Sequence, residues 1–137
     1  MAQSTEILPN GLQLLQDDRF FKLGQDSVLL SAFAKPRRNA KLLDLGCGTG
    51  TLALLVWRPD LKITGLELQD GPLDLFRQSI AANELENVTA LQGDLRQMRT
   101  LLPHGSMDYV ICNPPYFDRN AGTNAPTAEK RTARQDA

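Results

Sequence analysis

The residues best suited to chemistry are three acids, each at the end of a short apolar run. Asp44 opens the glycine-rich stretch 44–50 (Asp-Leu-Gly-Cys-Gly-Thr-Gly), and Glu67 and Asp94 end two later runs. In an open parallel sheet, ligands bind beyond the carboxyl ends of the strands, so these acids are expected to meet at one site. Two features disfavour a nucleotide phosphate at this turn. An acid precedes the glycines, which suits a cationic amine, and the spacing is Gly-x-Gly-x-Gly rather than Gly-x-Gly-x-x-Gly.

The second and third acids have spacings that match the parts of a nucleoside. Glu67 follows Gly46 by 21 residues, close to the spacing of about 20 at which an acid binds a ribose in such folds. Its carboxylate can accept both ribose hydroxyls, and the alternative is a solvated loop glutamate. Asp94 follows Gly93 and can accept from the amino group of adenine. The alternative for Asp94 is an N-cap of the segment that starts at Leu95.

A fourth motif, Asn113-Pro114-Pro115-Tyr116, follows the fourth apolar run. The two prolines stiffen the loop and remove two backbone donors. The carbonyl oxygens of Asn113 and Pro114, with the Asn113 side chain, can then accept hydrogens from a planar amino group. Tyr116 offers a flat ring for stacking. The motif predicts a loop that holds a planar nitrogen, and the alternative is a rigid loop with an exposed tyrosine.

The pattern around these motifs predicts an α/β fold. Short apolar strands alternate with helices over short loops, which indicates a parallel sheet with helices on both faces. The predicted strands are 41–45, 61–66, 88–92 and 107–112, and the predicted helices are 51–57, 70–83 and 95–102.

The first forty residues have a different pattern. Apolar runs on either side of Asp17-Asp18 predict a hairpin between residues 10 and 25, with Leu12, Leu14 and Leu15 before the turn and Phe20, Phe21 and Leu23 after it. Asp26 or Ser27 can cap a helix over 28–34, which Pro36 ends.

Composition narrows the class of protein. The 137 residues carry a formal net charge of -1, so any RNA contact must come from local basic groups or from a part of the protein outside this sequence. Cys47 and Cys112 have no metal-ligand spacing, and no metal is implied. The sequence has no secretory signal and no apolar stretch of about 18 residues. We therefore expect a cytoplasmic protein with reduced thiols and no membrane contact, and we assign no role to His104.

Together the motifs resemble, in order and spacing, the class I S-adenosylmethionine-dependent amino-methyltransferases. The resemblance implies S-adenosyl-L-methionine as cofactor, and it covers about residues 12 to 116. It implies that the glycine turn lies under the methionine and ribose, that the second acid holds the ribose and the third contacts adenine, and that the Asn-Pro-Pro-Tyr loop holds the target nitrogen. The implied cofactor residues are Asp44, Gly46, Cys47, Gly48, Thr49, Gly50, Glu67, Leu68, Gly93, Asp94, Leu95 and Asn113.

An upstream segment narrows the resemblance. Residues 20–30 are similar to the N-terminal segment of bacterial tRNA adenine-N6 methyltransferases that act beside the anticodon of a valine tRNA. That segment packs over the cofactor, which implies contacts from Gln25 and Asp26. Glutamine-N5 methyltransferases of release factors share the Asn-Pro-Pro-Tyr motif but carry a helical domain in front. A tRNA is therefore the expected substrate, and a protein glutamine is the alternative.

The resemblance also implies a domain organisation. Residues 1–40 would be a hairpin and helix covering the cofactor, 41–116 the Rossmann-like core, and 117–137 a loop and tail. The family sheet has seven strands in the order 3-2-1-4-5-7-6, and this sequence supplies strands for 3-2-1-4. The last strands are then missing, and an inactive cofactor-binding fragment is a further alternative. The fourth strand would be an open edge, and we expect self-association through it.

Overall fold

The computed structural model describes residues 3–17, 31–32, 34–102 and 105–112. The predictions made for residues 18–30 and 113–137, including Gln25, Asp26 and the Asn-Pro-Pro-Tyr loop, lie outside these residues. The elements, in chain order, are strands β1 (Gln3–Ile7), β2 (Gln13–Asp17) and β3 (Lys41–Leu45), helix α1 (Thr51–Leu55), strand β4 (Lys62–Glu67), helix α2 (Asp70–Ala82), strand β5 (Val88–Gln92), a 3-10 turn (Leu95–Gln97), helix α3 (Met98–Leu101) and strand β6 (Tyr109–Cys112).

A four-stranded parallel sheet in the order β5-β4-β3-β6 forms the centre of the molecule. This is the predicted order 3-2-1-4. Two predicted strands differ slightly at their ends, since β4 extends one residue further to Glu67 and β6 starts at Tyr109 rather than Met107. The predicted third helix is a 3-10 turn followed by one turn of α-helix.

The central strands β3 and β4 are buried on both faces along most of their length, which explains why they are mostly apolar. On one face, Leu42, Ile63 and Ile111 pack with α1, α2 and residues of the hairpin in the main core. On the other face, Leu43, Leu45 and Leu66 form a smaller cluster against the segment that follows β5. Because the strands are parallel, their carboxyl ends lie at one edge of the sheet. The two clusters hold the strands in this arrangement.

Helix α2 is amphipathic, as the sequence predicts. Leu73, Leu75 and Phe76 are buried, and Ile80 packs partly against the same core. Ser79 is also fully buried. Its hydroxyl accepts a hydrogen bond of 2.9 Å from the N–H of Leu15 in β2, so this polar residue joins the helix to the hairpin.

The hairpin differs from its prediction. Strand β2 contains Leu14 and Leu15 as expected, but its antiparallel partner among the described residues is the upstream strand β1. The turn is formed by residues 8–12, where the N–H of Gly11 donates to Leu8. Gly11 has a φ of 89°, a conformation that glycine adopts without steric cost. Strand β1 was not predicted because it is polar and mostly exposed, so it lacks an apolar pattern. The predicted turn at Asp17-Asp18 and the strand after it extend beyond the described residues.

The segment after the hairpin is described only in part. Residues 31–32 have helical backbone, in agreement with a helix over 28–34, but Ala34 is not helical. No helix within the described ranges is long and apolar enough to cross a membrane.

Asn87 holds together the loops at the amino ends of β4 and β5. Its side-chain amide donates to the carbonyls of Arg58 (2.9 Å) and Leu61 (2.7 Å), and its Oδ1 accepts from the indole N–H of Trp57 at 2.9 Å. All three bonds are partly buried, so loss of the amide leaves polar groups without a partner.

We expect Asn87→Ala to lower the free energy of unfolding by about 2–3 kcal/mol, measured by urea denaturation. The matched control is Glu86→Ala, an exposed neighbour, which should change stability by less than about 0.5 kcal/mol. Equal effects of the two substitutions would contradict the role given to this amide.

Candidate functional site

The site lies where β3, β4 and β5 end. Because the strands are parallel and in register, Leu45 is level with Leu66, and Glu67 is level with Gln92. The glycine turn 46–50, the segment 68–69 and the segment 93–94 therefore leave the sheet side by side at its carboxyl edge. The three acids of the sequence motifs are brought to this edge, as predicted.

The glycine turn requires its glycines for conformational reasons. Gly46, Gly48 and Gly50 have φ values of 63°, 57° and 89°. This left-handed region costs an L-residue about 1–2 kcal/mol. The N–H of Cys47 donates to the carbonyl of Leu66 at 3.0 Å, which ties the turn to β4. The Gly-x-Gly-x-Gly spacing thus encodes a chain reversal between β3 and α1.

The glycines serve two separate purposes. A Cβ on Gly46 or Gly48 would meet no heavy atom within 4 Å, so the backbone there borders open space. A Cβ on Gly50 or Gly65 would overlap the ring of Phe76. The first pair leaves room for a ligand to approach the backbone, and the second pair leaves room for the ring that packs beneath the turn.

Glu67 joins the glycine turn to the end of β4. Its Oε1 accepts from the N–H of Gly48 at 2.7 Å, and its Oε2 accepts from the N–H of Gln69 at 3.0 Å. A carboxylate has about four lone-pair sites. Each oxygen therefore keeps the capacity to accept a second hydrogen bond, so the two oxygens together could accept a pair of hydroxyls.

Asp44 is buried beneath the turn. It is only 1% exposed, and its Oδ2 has no hydrogen-bond partner among the described residues. Burial raises the pKa of Asp44 to about 8, the N–H of Ala53 opposes this rise, and the nearby Glu67 adds to it. A buried carboxyl with an unused oxygen is suited to a cationic or hydrogen-donating group.

Asp94 is engaged locally. Its Oδ1 accepts from the N–H of Arg96 at 2.8 Å, and its carbonyl accepts from the N–H of Gln97 at 2.8 Å, so it caps the 3-10 turn as one of the two predictions stated. The guanidinium of Arg96 also holds the carboxylate at 2.6 Å, which lowers the pKa of Asp94 to about 2. Its contact with adenine stays a prediction.

The Cys47 thiol is a packing group. It is buried, and burial together with Asp44 and Glu67 raises its pKa well above the usual range. Such a thiol does not ionise readily and is a poor nucleophile. Its Sγ would lie 2.8 Å from a Cβ at Gly65, so the sulfur and the Phe76 ring together exclude a side chain from that position.

The remaining predicted residues are distributed around the edge. Leu68 is 59% exposed directly after Glu67, and Thr49 is buried with its hydroxyl 3.3 Å from that of Thr51. Gly93 donates its N–H to the carbonyl of Glu67 at 3.0 Å. The backbone of Leu95 begins the 3-10 turn. Asn113, Pro114, Pro115, Tyr116, Gln25 and Asp26 lie outside the described residues.

Three residues of the site were missed in the sequence. Gly65 and Phe76 pack beneath the glycine turn. The available signal was a glycine inside an apolar strand, which indicates that another group approaches the backbone closely at that position. Arg96 neutralises Asp94, and the spacing of two residues between opposite charges was the available signal.

The sequence matches one family model, described as the methyltransferase small domain, over residues 24–132. It is 35% identical over 105 residues to a tRNA1(Val) (adenine(37)-N6)-methyltransferase of Pseudoalteromonas translucida, covering 75% of this chain and 44% of that protein. It is 32% identical over 114 residues to the protein of the same name from Photobacterium profundum, covering 80% and 47%. The chain thus spans slightly less than half the length of these curated relatives.

Solved structures share the fold at low sequence identity. The tRNA (uracil-54, C5)-methyltransferase of Pyrococcus abyssi, in complex with S-adenosyl-L-homocysteine, superposes with a TM-score of 0.65 at 18% identity, covering 99% of this chain and 33% of that one. A precorrin-6y C5,15-methyltransferase of Geobacter metallireducens gives 0.61 at 14%, covering 80% and 58%. These structures support the Rossmann-like architecture and no particular substrate.

The two kinds of glycine predict different costs of substitution. Gly48→Ala should lower the free energy of unfolding by about 1–2 kcal/mol, because only the positive φ is penalised. Gly50→Ala should cost about 3 kcal/mol or more, because overlap with the Phe76 ring adds to that strain. Chemical denaturation of both variants measures the difference. If Gly48→Ala is the more damaging of the two, the division between open and packed glycines is wrong.

The raised pKa of Asp44 predicts that the stability of the fold depends on pH. Its pKa is about 8 in the folded protein against an ordinary value of 3.8, so the folded state binds more protons than the unfolded state between these values. The contribution of Asp44 to the free energy of unfolding is therefore fully present below about pH 4 and is lost as the pH rises towards 8. Denaturation curves measured over this pH range should show that the free energy of unfolding of Asp44→Asn does not decrease in this way, whereas that of the parent does. Parallel pH profiles would refute the shift.

Proposed function

The chain belongs to the methyltransferase small domain family, and its type within that family is the class I S-adenosylmethionine-dependent methyltransferase. We propose that it binds S-adenosyl-L-methionine at the glycine turn. We propose further that it transfers the methyl group to the N6 amino group of an adenine in tRNA. The observation that carries the proposal is Glu67. Its carboxylate closes the turn onto the sheet and keeps free acceptor capacity at the edge where a nucleoside would lie.

The described residues fit the cofactor in three respects. Open space beside Gly46 and Gly48 admits a ligand close to the backbone. The free lone pairs of Glu67 match the two ribose hydroxyls in number. The buried Oδ2 of Asp44 lacks a partner, and the ammonium group of the methionine part would provide one. Asp94 would contact adenine only if Arg96 shares the carboxylate or moves aside.

Bound S-adenosyl-L-methionine supplies a sulfonium methyl group that is open to in-line attack. The chain's task is then to hold the acceptor nitrogen in position with its lone pair directed at that methyl, since the reaction needs little acid–base chemistry. The sequence assigns this task to Asn113-Pro114-Pro115-Tyr116. In support, β6 ends at Cys112, whose Cα partner is Leu45, one residue before the glycine turn.

The choice of tRNA adenine as acceptor rests on the relatives and on residues 20–30. The relatives named above are tRNA adenine-N6 methyltransferases. Residues 20–30 carry the resemblance to this group described above. Methylation of a glutamine amide would use the same Asn-Pro-Pro-Tyr chemistry. It is the competing acceptor, and no described residue favours it.

We expect the chain to bind S-adenosyl-L-homocysteine and to transfer label from S-adenosyl-L-methionine to unmodified valine tRNA. In Glu67→Gln, the side chain can no longer accept from both Gly48 and Gln69, because one oxygen becomes an amide donor. Calorimetry should show at least a tenfold loss of affinity, about 1.4 kcal/mol. Glu86→Gln, an exposed glutamate away from this edge, is the matched control and should bind like the parent.

The assay also separates the competing acceptors. A release factor is offered in parallel with the tRNA, and label on its glutamine instead of on RNA would replace adenine as the acceptor. Binding of S-adenosyl-L-homocysteine without labelling of either substrate would identify the chain as a cofactor-binding fragment. Failure of the parent to bind S-adenosyl-L-homocysteine at all would refute the proposed site.

A further inference from the structure

The opposite edge of the sheet, where the parallel strands begin, carries a cluster of cations. Four of them fall within the seven residues 35–41, and two more lie in the loop before β4 and at its start. We call this cluster the basic edge. It consists of Lys35, Arg37, Arg38, Lys41, Arg58 and Lys62. All are exposed except Arg58, which is partly buried.

Specific hydrogen bonds bring these segments together. The guanidinium of Arg58 donates to the carbonyls of Pro36 at 2.9 Å and Arg37 at 3.3 Å, which joins the loop before β4 to the loop before β3. The N–H of Asn39 donates to Asp60 at 2.8 Å across the same junction. The basic edge is therefore a single surface built from two loops and two strand ends.

The neighbouring acids balance only part of this charge. Asp60 is held by Arg58, and hydrogen bonds from Arg58 and Asn39 lower its pKa far below the usual range. Asp108 accepts from the N–H of Lys41, which lowers its pKa, and also pairs with Arg37, whose side chain is 78% exposed. Within the described ranges, the other four cations of the basic edge form no ion pair.

Two of those unpaired cations repel each other. Lys41 and Lys62 are Cα partners on adjacent parallel strands, and such strands are about 4.8 Å apart. Like charges placed opposite each other destabilise a sheet. Asp108 lies close to Lys41 and offsets part of this repulsion, and an anion bound between the two lysines would reduce it further.

The same two lysines line a cleft of about 570 Å³. Its wall also includes the hydroxyl residues Thr64 and Thr89, which can donate hydrogen bonds to an anion. Glu84 and Glu86 line the cleft as well, and neither pairs with a lysine within the described part of the chain. Lys41 and Lys62 would attract an anion that enters the cleft, and Glu84 and Glu86 offset part of this attraction.

We propose that the basic edge binds phosphates of the RNA backbone, at the end of the sheet opposite the methyl-transfer site. The inference rests on the proposed function in taking an RNA as the substrate. A five-residue strand spans about 17 Å, so one RNA stem can reach both edges of the sheet. The interactions carry no base specificity, because they are made to phosphates, and they hold the RNA while its target base occupies the carboxyl edge.

The test measures the salt dependence of RNA binding. Fluorescence anisotropy measures the affinity for labelled unmodified valine tRNA between about 50 and 200 mM salt. The parent is compared with the quadruple variant K35Q/R38Q/K41Q/K62Q. We expect at least a tenfold loss of affinity at the lower salt concentration. The slope of log K against log salt should become shallower by about 0.7–0.9 for each phosphate that the variant no longer neutralises. The single variants K41Q and K62Q should each show part of this effect.

The matched control is R77Q, which removes one exposed cation from α2, outside the basic edge. It should leave both affinity and salt slope close to the parent values. Binding of S-adenosyl-L-homocysteine should be unchanged in all variants.

Two outcomes would overturn the inference. One is equal tRNA affinity and salt slope in the quadruple variant, R77Q and the parent. The other is no tRNA binding by a parent chain that does bind S-adenosyl-L-homocysteine. If the parent binds tRNA through the basic edge but labels none, the inference stands and the proposed acceptor fails, so the two proposals can be judged separately.

Discussion

The geometry of the site depends on the space that Phe76 occupies. Its ring is fully buried between the glycine turn and β4, at positions where neither Gly50 nor Gly65 could carry a side chain. This packing sets how closely α2 approaches the sheet, and so how far the glycine turn stands from the end of β4. Because packed interiors tolerate little change of volume, one aromatic ring and two absent Cβ atoms constrain the spacing between the glycine turn, β4 and α2.

Given that spacing, the Glu67 carboxylate can reach the N–H of Gly48 from the end of the neighbouring strand. A charged hydrogen bond of this kind is stronger than a neutral one, and it orients the turn without using all the acceptor capacity of the carboxylate. The residue proposed to bind ligand therefore also positions the backbone that borders the ligand. This double role explains why an acid suits this position better than a neutral acceptor.

The sheet could be predicted from the sequence because its central strands are buried on both faces and therefore stand out as short, mostly apolar runs. The partner of β2 could not, because β1 is polar and exposed, and its pairing depends on the turn at Gly11. In the site, the acids and glycines were predictable from spacing alone. The engagement of Asp94 by Arg96 was not, because rotamers decide whether a nearby guanidinium turns towards a carboxylate.

Although the net charge is only -1, acidic groups gather at the carboxyl ends of the strands and basic groups at their amino ends. At the carboxyl edge, Arg96 pairs with Asp94, Asp44 with its raised pKa is mostly protonated at neutral pH, and Glu67 has no cationic partner among the described residues. The remaining negative charge suits a cationic cofactor and disfavours phosphates. In the proposed function, the phosphates of an RNA substrate would therefore be held by cations away from this edge. Among the described residues, the basic edge provides the largest such group, and the parallel order of the strands places it at the other end of the sheet. The topology that gathers the acids would thus keep the two proposed binding surfaces apart, and only the neutral base would have to enter the acidic edge.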